Sequence, residues 1–209
     1  MVVYDCVEAL ENVIKIEHEY LSKFNFENFN KKKDYKTLEK MINLYGKNLP
    51  YKKGVLNICC EKYNLKIIKM LIEKCDITVD TNHLFYACKR GSKKIVKYLL
   101  QYFDKSEENK EIAYVVCNIK NYKIAKIILD KFGNKLKINE KIVNLAYLNN
   151  KKIFELFVKV YKEKLTINEY FLVYIFSTRD TKLIRLLEEN LKEKVNEIIY
   201  SESDNERED

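Results

Sequence analysis

The sequence predicts an all-α fold, an α-solenoid of about six helix-turn-helix repeats. Three observations carry that expectation. Six short polar residues, Asp34, Asn64, Ser92, Asn121, Asn150 and Asp180, recur at intervals of 30, 28, 29, 29 and 30. Side-chain oxygens of Asp, Asn and Ser accept the unpaired backbone N–H groups of a helix start, so each residue reads as an N-cap. Apolar residues follow at the third, fourth, seventh and eighth positions, as in Ile67, Ile68, Leu71 and Ile72 after Asn64. That spacing makes one buried stripe at helical period. Finally, the 209 residues include only four Gly and one Pro, too little turn chemistry for a β-rich chain.

In chain order, residues 1–25 are expected to form a capping helix. Asp5 and Glu8 suit a capping box there, and Val7, Leu10, Val13, Ile14 and Leu21 share one side. The repeat array occupies 26–190. Each unit's second helix starts at the cap already named; the first is visible as Leu56 to Cys60, Leu84 to Cys88, Ala113 to Cys117, Val143 to Tyr147 and Leu172 to Phe176. Asp80, Asn109, Asn139 and Asn168 stand just before four of these and are placed to cap them. Pro50 lies near the start of another, where a missing N–H costs little. Residues 191–200, with Leu191, Val195, Ile198 and Ile199, are expected to cover the last repeat, because a terminal unit must close off its apolar face. Residues 201–209 carry five acids and one Arg with no apolar residue, the composition of a disordered tail.

Composition narrows the function classes. Hydrophobic residues make up 47%, enough for a core, yet the longest aromatic-aliphatic run, Tyr170 to Phe176, is far short of a membrane span. The start, Met-Val-Val-Tyr-Asp-Cys, has no basic segment of the signal-peptide kind. The expectation is a soluble, cytoplasmic, monomeric protein without membrane contact. Cys59, Cys60, Cys88 and Cys117 fall in the first helices at positions where Ala would also fit, so they read as reduced core thiols. No CxxC pair exists and only His18 and His83 could assist, which argues against zinc. The net charge of +8 comes from Lys far more than Arg, whereas nucleic-acid readers lean on the Arg fork.

Family resemblance rests on the third repeat, His83-Leu84-Phe85-Tyr86-Ala87-Cys88-Lys89-Arg90-Gly91-Ser92-Lys93-Lys94-Ile95-Val96-Lys97-Tyr98-Leu99-Leu100. It resembles an ankyrin repeat through Leu84, Ala87 and Cys88 on the inner helix, Gly91 in the turn, and Ile95, Val96, Leu99 and Leu100 on the outer helix. The family's Thr-Pro-Leu-His turn is absent, and the turn Gly is kept only at Gly91. A period below the family's usual length of about 33 implies shortened inter-repeat loops, with truncated hairpin fingers. Lys- and Ile-rich sequences of this kind resemble the ankyrin proteins of large AT-rich DNA viruses and intracellular bacteria. The resemblance implies a protein-protein interaction module that recruits or sequesters a partner.

No Gly-rich phosphate loop, His-rich metal motif, or Ser or Cys nucleophile paired with His is present, so the reading is non-enzymatic, without cofactor or metal. The partner is expected to be a protein, met through polar and aromatic positions near the inner helices and turns: Tyr51, Asn57, His83, Tyr86, Lys89, Arg90, Tyr114 and Asn144. A second feature is a basic ladder, Lys36, Lys66, Lys94, Lys123, Lys152 and Lys182, two residues after each cap. Ankyrin repeats often carry Glu at this place, which suits the helix dipole better. Two readings of the ladder stay open. It is either a docking strip for an acidic surface or phosphate backbone, which makes nucleic acid or another polyanion the alternative partner, or the trace of duplicating one Lys-rich unit.

Overall fold

A computed structural model describes residues 32–49, 51–62, 64–104 and 110–196. The expected helix within 1–25, Pro50, Asn109, Ile198, Ile199 and the tail 201–209 lie outside them. All regular structure among the described residues is helical. Two compact units divide the chain at residues 86 and 87, inside one helix.

The first unit holds α1 (Lys32–Tyr45), α2 (Lys52–Lys62), α3 (Leu65–Cys75) and the start of α4 (Thr81–Arg90). Helix α3 packs on both α1 and α2. Its whole predicted stripe is buried, Ile67, Ile68, Leu71 and Ile72, against Leu38 and Ile42 of α1 and Val55, Leu56, Cys59 and Cys60 of α2. Asn64 caps α3 by accepting from the Ile67 N–H at 3.0 Å. The expected first cap does not hold. The backbone is already helical from Lys32, because neither Lys32 nor Lys33 breaks a helix, and Asp34 falls inside the first turn.

The second unit continues with α5 (Lys93–Leu99), α6 (Lys110–Asn118), α7 (Tyr122–Phe132), α8 (Glu140–Asn149), α9 (Lys151–Tyr161), α10 (Glu169–Ser177) and α11 (Thr181–Asn190). Outer helices α5, α7, α9 and α11 pack on one another in sequence, and inner helix α6 packs on α8. The four caps work as their chemistry predicts. Ser92 accepts from Ile95, Asn121 from Lys123 and Ile124, Asn150 from Lys152, and Asp180 from Leu183. Among inner helices, Asn139 caps α8 through the Ile142 N–H, but Asn168 makes no side-chain cap bond. Its backbone carbonyl alone accepts, from Leu172 N at 3.1 Å. The predicted stripes of α5, α7 and α9 are fully buried; that of α11 narrows to Leu183 and Leu187. Leu191 and Val195 are also buried.

Connections between repeats are short extended segments. Ile77-Thr78-Val79, Leu136-Lys137-Ile138 and Leu165-Thr166-Ile167 alternate apolar and polar residues, and Ile77, Val79, Leu136, Ile138 and Leu165 are buried. Those five side chains tuck into the core where a longer hairpin would project, while Ile167 is half-buried. Before the segments the chain reverses at positive φ, at Asp76 (φ 53°), Gly133 (φ 58°) and Lys162 (φ 49°). Gly91, in the α4–α5 turn, has φ 86°, and a Cβ there would come within 3.0 Å of Asn121 Nδ2. Only glycine suits that turn.

The turns that follow α5, α7 and α9 leave backbone carbonyls outside the helical ladder. The next repeat supplies donors. Lys131 Nζ donates to Leu100 O and Phe103 O, and Tyr161 Oη to Gly133 O (3.1 Å) and Leu136 O (3.2 Å). Lys194 Nζ does the same for Glu163 O (2.9 Å) and Leu165 O. The unit is therefore tied repeat to repeat by partly buried polar bonds as well as by apolar contact.

All five described cysteines are buried thiols outside any disulfide. Burial pushes the Cys60 and Cys117 thiols up to about 12, and Cys59 further still. Cys117 Sγ donates to Ile142 O at 3.3 Å, so this thiol joins α6 to α8.

Candidate partner-binding surface

What an inner helix buries on one side fixes what it offers on the other. In α2, Val55, Leu56, Cys59 and Cys60 are buried, which turns Gly54, Asn57, Ile58 and Glu61 outward. Asn57 is half-buried, and its Oδ1 is shielded from solvent without a hydrogen-bond partner. Tyr51, just before α2, is 66% exposed at φ 52°. Its carbonyl accepts the Val55 N–H, so the strained turn also starts the helix. In α4, Tyr86 is half-buried and meets Phe85 edge to face at 5.9 Å.

His83 lies elsewhere, being only 1% exposed. Its Nδ1 accepts the Asp80 N–H at 3.0 Å, and its own N–H donates to Asp80 Oδ1 at 3.2 Å. Burial lowers its pKa, with the Asp80 carboxylate opposing. A side chain so enclosed holds the start of α4 together and presents nothing to a partner.

In the second unit, Lys89 and Arg90 are exposed at the end of α4, Tyr114 is half-buried on α6, and Asn144 is half-buried on α8. Asn144 Oδ1 is enclosed and unpartnered like that of Asn57, which stands at the matching place in its own helix. Residues that sequence reasoning missed carry the largest apolar exposure on this side. Tyr170 is 84% exposed, Tyr174 54%, Val173 37%, and Leu148 of α8 74%. Tyr170, Val173 and Tyr174 are spaced i, i+3, i+4 and so share one face of α10. The opposite face buries Leu172 and Ile175. Aromatic packing fixes the helix: Tyr147 meets Phe171 at 5.2 Å, Phe154 at 5.5 Å and Tyr174 at 6.2 Å. The signal was present in the run Tyr170 to Phe176, apolar all round where one buried face needs only half of it.

On the outer helices all six ladder lysines are exposed. Among the described residues two form ion pairs, Lys66 with Glu39 at 2.6 Å and Lys182 with Glu155 at 3.8 Å. Beside the latter pair, α9 and α11 enclose a groove of about 370 Å³ whose lining includes Glu155, Lys159, Lys182, Arg185 and Glu189. Its charges are of both signs and largely offset one another.

Among the described residues no cluster of three or more His, Cys, Asp or Glu side chains could hold a metal ion. No described helix is long and apolar enough to cross a membrane. The family model for ankyrin repeats (3 copies) matches residues 30–111 and 56–142, which together span more than half of the 209. No curated protein and no solved structure matched the chain.

Proposed function

We infer that this chain, which belongs to the ankyrin repeat family, recruits or sequesters a protein partner through the open faces of its inner helices. Ankyrin repeats are generally protein-protein interaction modules and typically non-enzymatic. The observation that supports the specific reading is the stripe of Tyr170, Val173 and Tyr174, with Leu148 exposed on the preceding inner helix. Large apolar side chains side by side in water are costly to keep unless something covers them, and such patches mark interaction sites. Tyr is well suited to the task, because it adds contact area with few rotors to freeze.

In the second unit the proposed contact set beside this anchor includes Tyr114, Asn144, Lys89 and Arg90; in the first unit, taken by itself, it is Tyr51, Asn57 and Tyr86. Asn57 and Asn144 are half-buried, so what they offer a partner is the exposed part of their side chains and not the enclosed Oδ1. His83 belongs to the scaffold. Five buried thiols outside any disulfide support placing the protein in a reducing, cytoplasmic setting.

The test is site-specific photo-crosslinking in cells. A crosslinker at Tyr174 or Leu148 should yield one defined adduct, and one at exposed Lys164, after α9, should not. Tyr170→Glu with Leu148→Glu, at two side chains that make no aromatic contact among the described residues, should abolish the adduct from Tyr174 while leaving thermal unfolding in place. Adducts of equal yield from Lys164 would remove the inner face from consideration.

A further inference from the structure

The ladder divides according to the residue that stands five positions after the cap of the preceding repeat. Where that residue is acidic, the lysine is neutralised: Glu39 takes Lys66, and Glu155 takes Lys182. Both pairs join adjacent outer helices by the same register. In the second unit the equivalent places on α5 and α7 hold Lys97 and Lys126. Lys97 therefore stands toward Lys123, and Lys126 toward Lys152, as Glu155 stands toward Lys182. Lys94, Lys97, Lys123, Lys126 and Lys152 are all exposed, and among the described residues none of the five forms an ion pair. The interruption of the second column by Glu39 and Glu155 thus decides which ladder positions stay available.

Neighbouring packed helices lie about 8–10 Å apart, so α5, α7 and α9 carry the five charges over roughly 20 Å. The two columns are one helical turn apart, about 5–6 Å. Five like charges at that spacing repel one another, and among the described residues no carboxylate pairs with any of them. An opposite charge arriving from outside would be attracted by all five.

The geometry points to a docking strip for a short acidic segment of a partner protein, laid across α5, α7 and α9. Charge complementarity fixes the sign. Length selects the class: an extended chain at about 3.3 Å per residue crosses the strip in roughly six residues. A nucleic-acid duplex running on past α9 would meet Glu155, already spent on Lys182, and the strip has no Arg to grip phosphate in a fork. The inference rests on the protein-partner reading only for the class of ligand, and it uses a different face from the aromatic stripe.

The test uses the full chain and fluorescence anisotropy with a labelled oligoglutamate of about ten residues, beside single-stranded and duplex DNA of the same charge. Lys97→Glu with Lys126→Glu reverses the second column. Each new carboxylate occupies the place that Glu155 holds toward Lys182, so this variant should fold, and melting by circular dichroism checks that it does. Lys135→Glu with Lys164→Glu makes the same net change beyond the other ends of the outer helices. The peptide should bind the native protein more tightly than either DNA, weakening at least tenfold from low to high salt as released counterions predict. The Lys97/Lys126 variant should lose roughly tenfold or more, and the Lys135/Lys164 variant about twofold at most. Equal loss in both variants, tighter DNA binding, or no peptide binding by the native protein would each overturn the inference. None of these results touches the crosslinks expected at Tyr174 and Leu148, so the two readings fail separately.

Discussion

Replacing Lys162 by glycine should make this protein more stable. Lys162 ends α9 with φ 49° and ψ −134°, and Gly133 ends α7, one repeat earlier, with φ 58° and ψ −132°. The two backbones adopt one conformation, which a glycine enters freely and a lysine only under strain. Residues held there cost about 1–3 kcal/mol. Glycine at the same place forfeits about 0.5–1 kcal/mol through the freer unfolded chain. Lys162 is exposed, and its backbone bonds, the carbonyl accepting from Leu165 N at 2.9 Å and the N–H reaching Val158 O, survive the change. The balance favours Lys162→Gly by about 1 kcal/mol. Gly133→Ala should lose a similar amount, and the added methyl would meet no atom within 4 Å, so the loss would be conformational alone. Urea unfolding measures both. With an m-value of about 2 kcal/mol/M, each shifts the midpoint by roughly 0.5 M, in opposite directions and with m unchanged. The melting temperature should move about 2–4 °C each way. A destabilised Lys162→Gly, or a stabilised Gly133→Ala, would refute the reasoning.

Tyr161→Phe keeps the ring that packs edge to face on Phe157 at 6.0 Å but strands Gly133 O and Leu136 O. It should cost about 1–2 kcal/mol in the same urea experiment, and a change under about 0.3 kcal/mol would mean the hydroxyl satisfies neither carbonyl. His83 is held neutral by burial, with its folded pKa below the ordinary 6.5. The unfolded chain takes up the proton first, so stability should begin to fall as pH drops below 6.5 and continue falling through the folded pKa. His83→Gln should remove that share of the slope, whatever it does to stability at neutral pH. Cys59, Cys60 and Cys117, with thiol pKa values raised by burial, should resist a disulfide reagent in the folded protein and react at once in denaturant. Rapid native labelling at any of them would show that its core opens.

Much of the fold was legible because helix starts are local. An Asn or Ser oxygen meets an N–H two or three residues away, so Asn64, Ser92, Asn121 and Asn150 declare their helices without help from the rest of the chain. Asp34 and Asn168 show the limit. The same residue types stand at the expected places, but the local backbone starts one helix earlier and leaves the other cap's side chain unused. The connecting segments were also readable, in the alternation of Leu136-Lys137-Ile138, yet three residues are too few to separate a strand from a tucked loop without knowing what they pack on.

The candidate surface divides along the same line. By itself the sequence determined the period, the helix pairs, the buried stripes and the column of lysines, because each depends on residues within one or two turns of one another. Only the tertiary structure decided that His83 faces inward, that Tyr170 and Tyr174 face out, and that Lys182 is spent on Glu155 while Lys123 and Lys152 are not. Those outcomes depend on which side chain of the neighbouring repeat lies across the gap. Stacking sets that partner, and a charge separated from it by some 27 positions in the chain gives no local sign of the match.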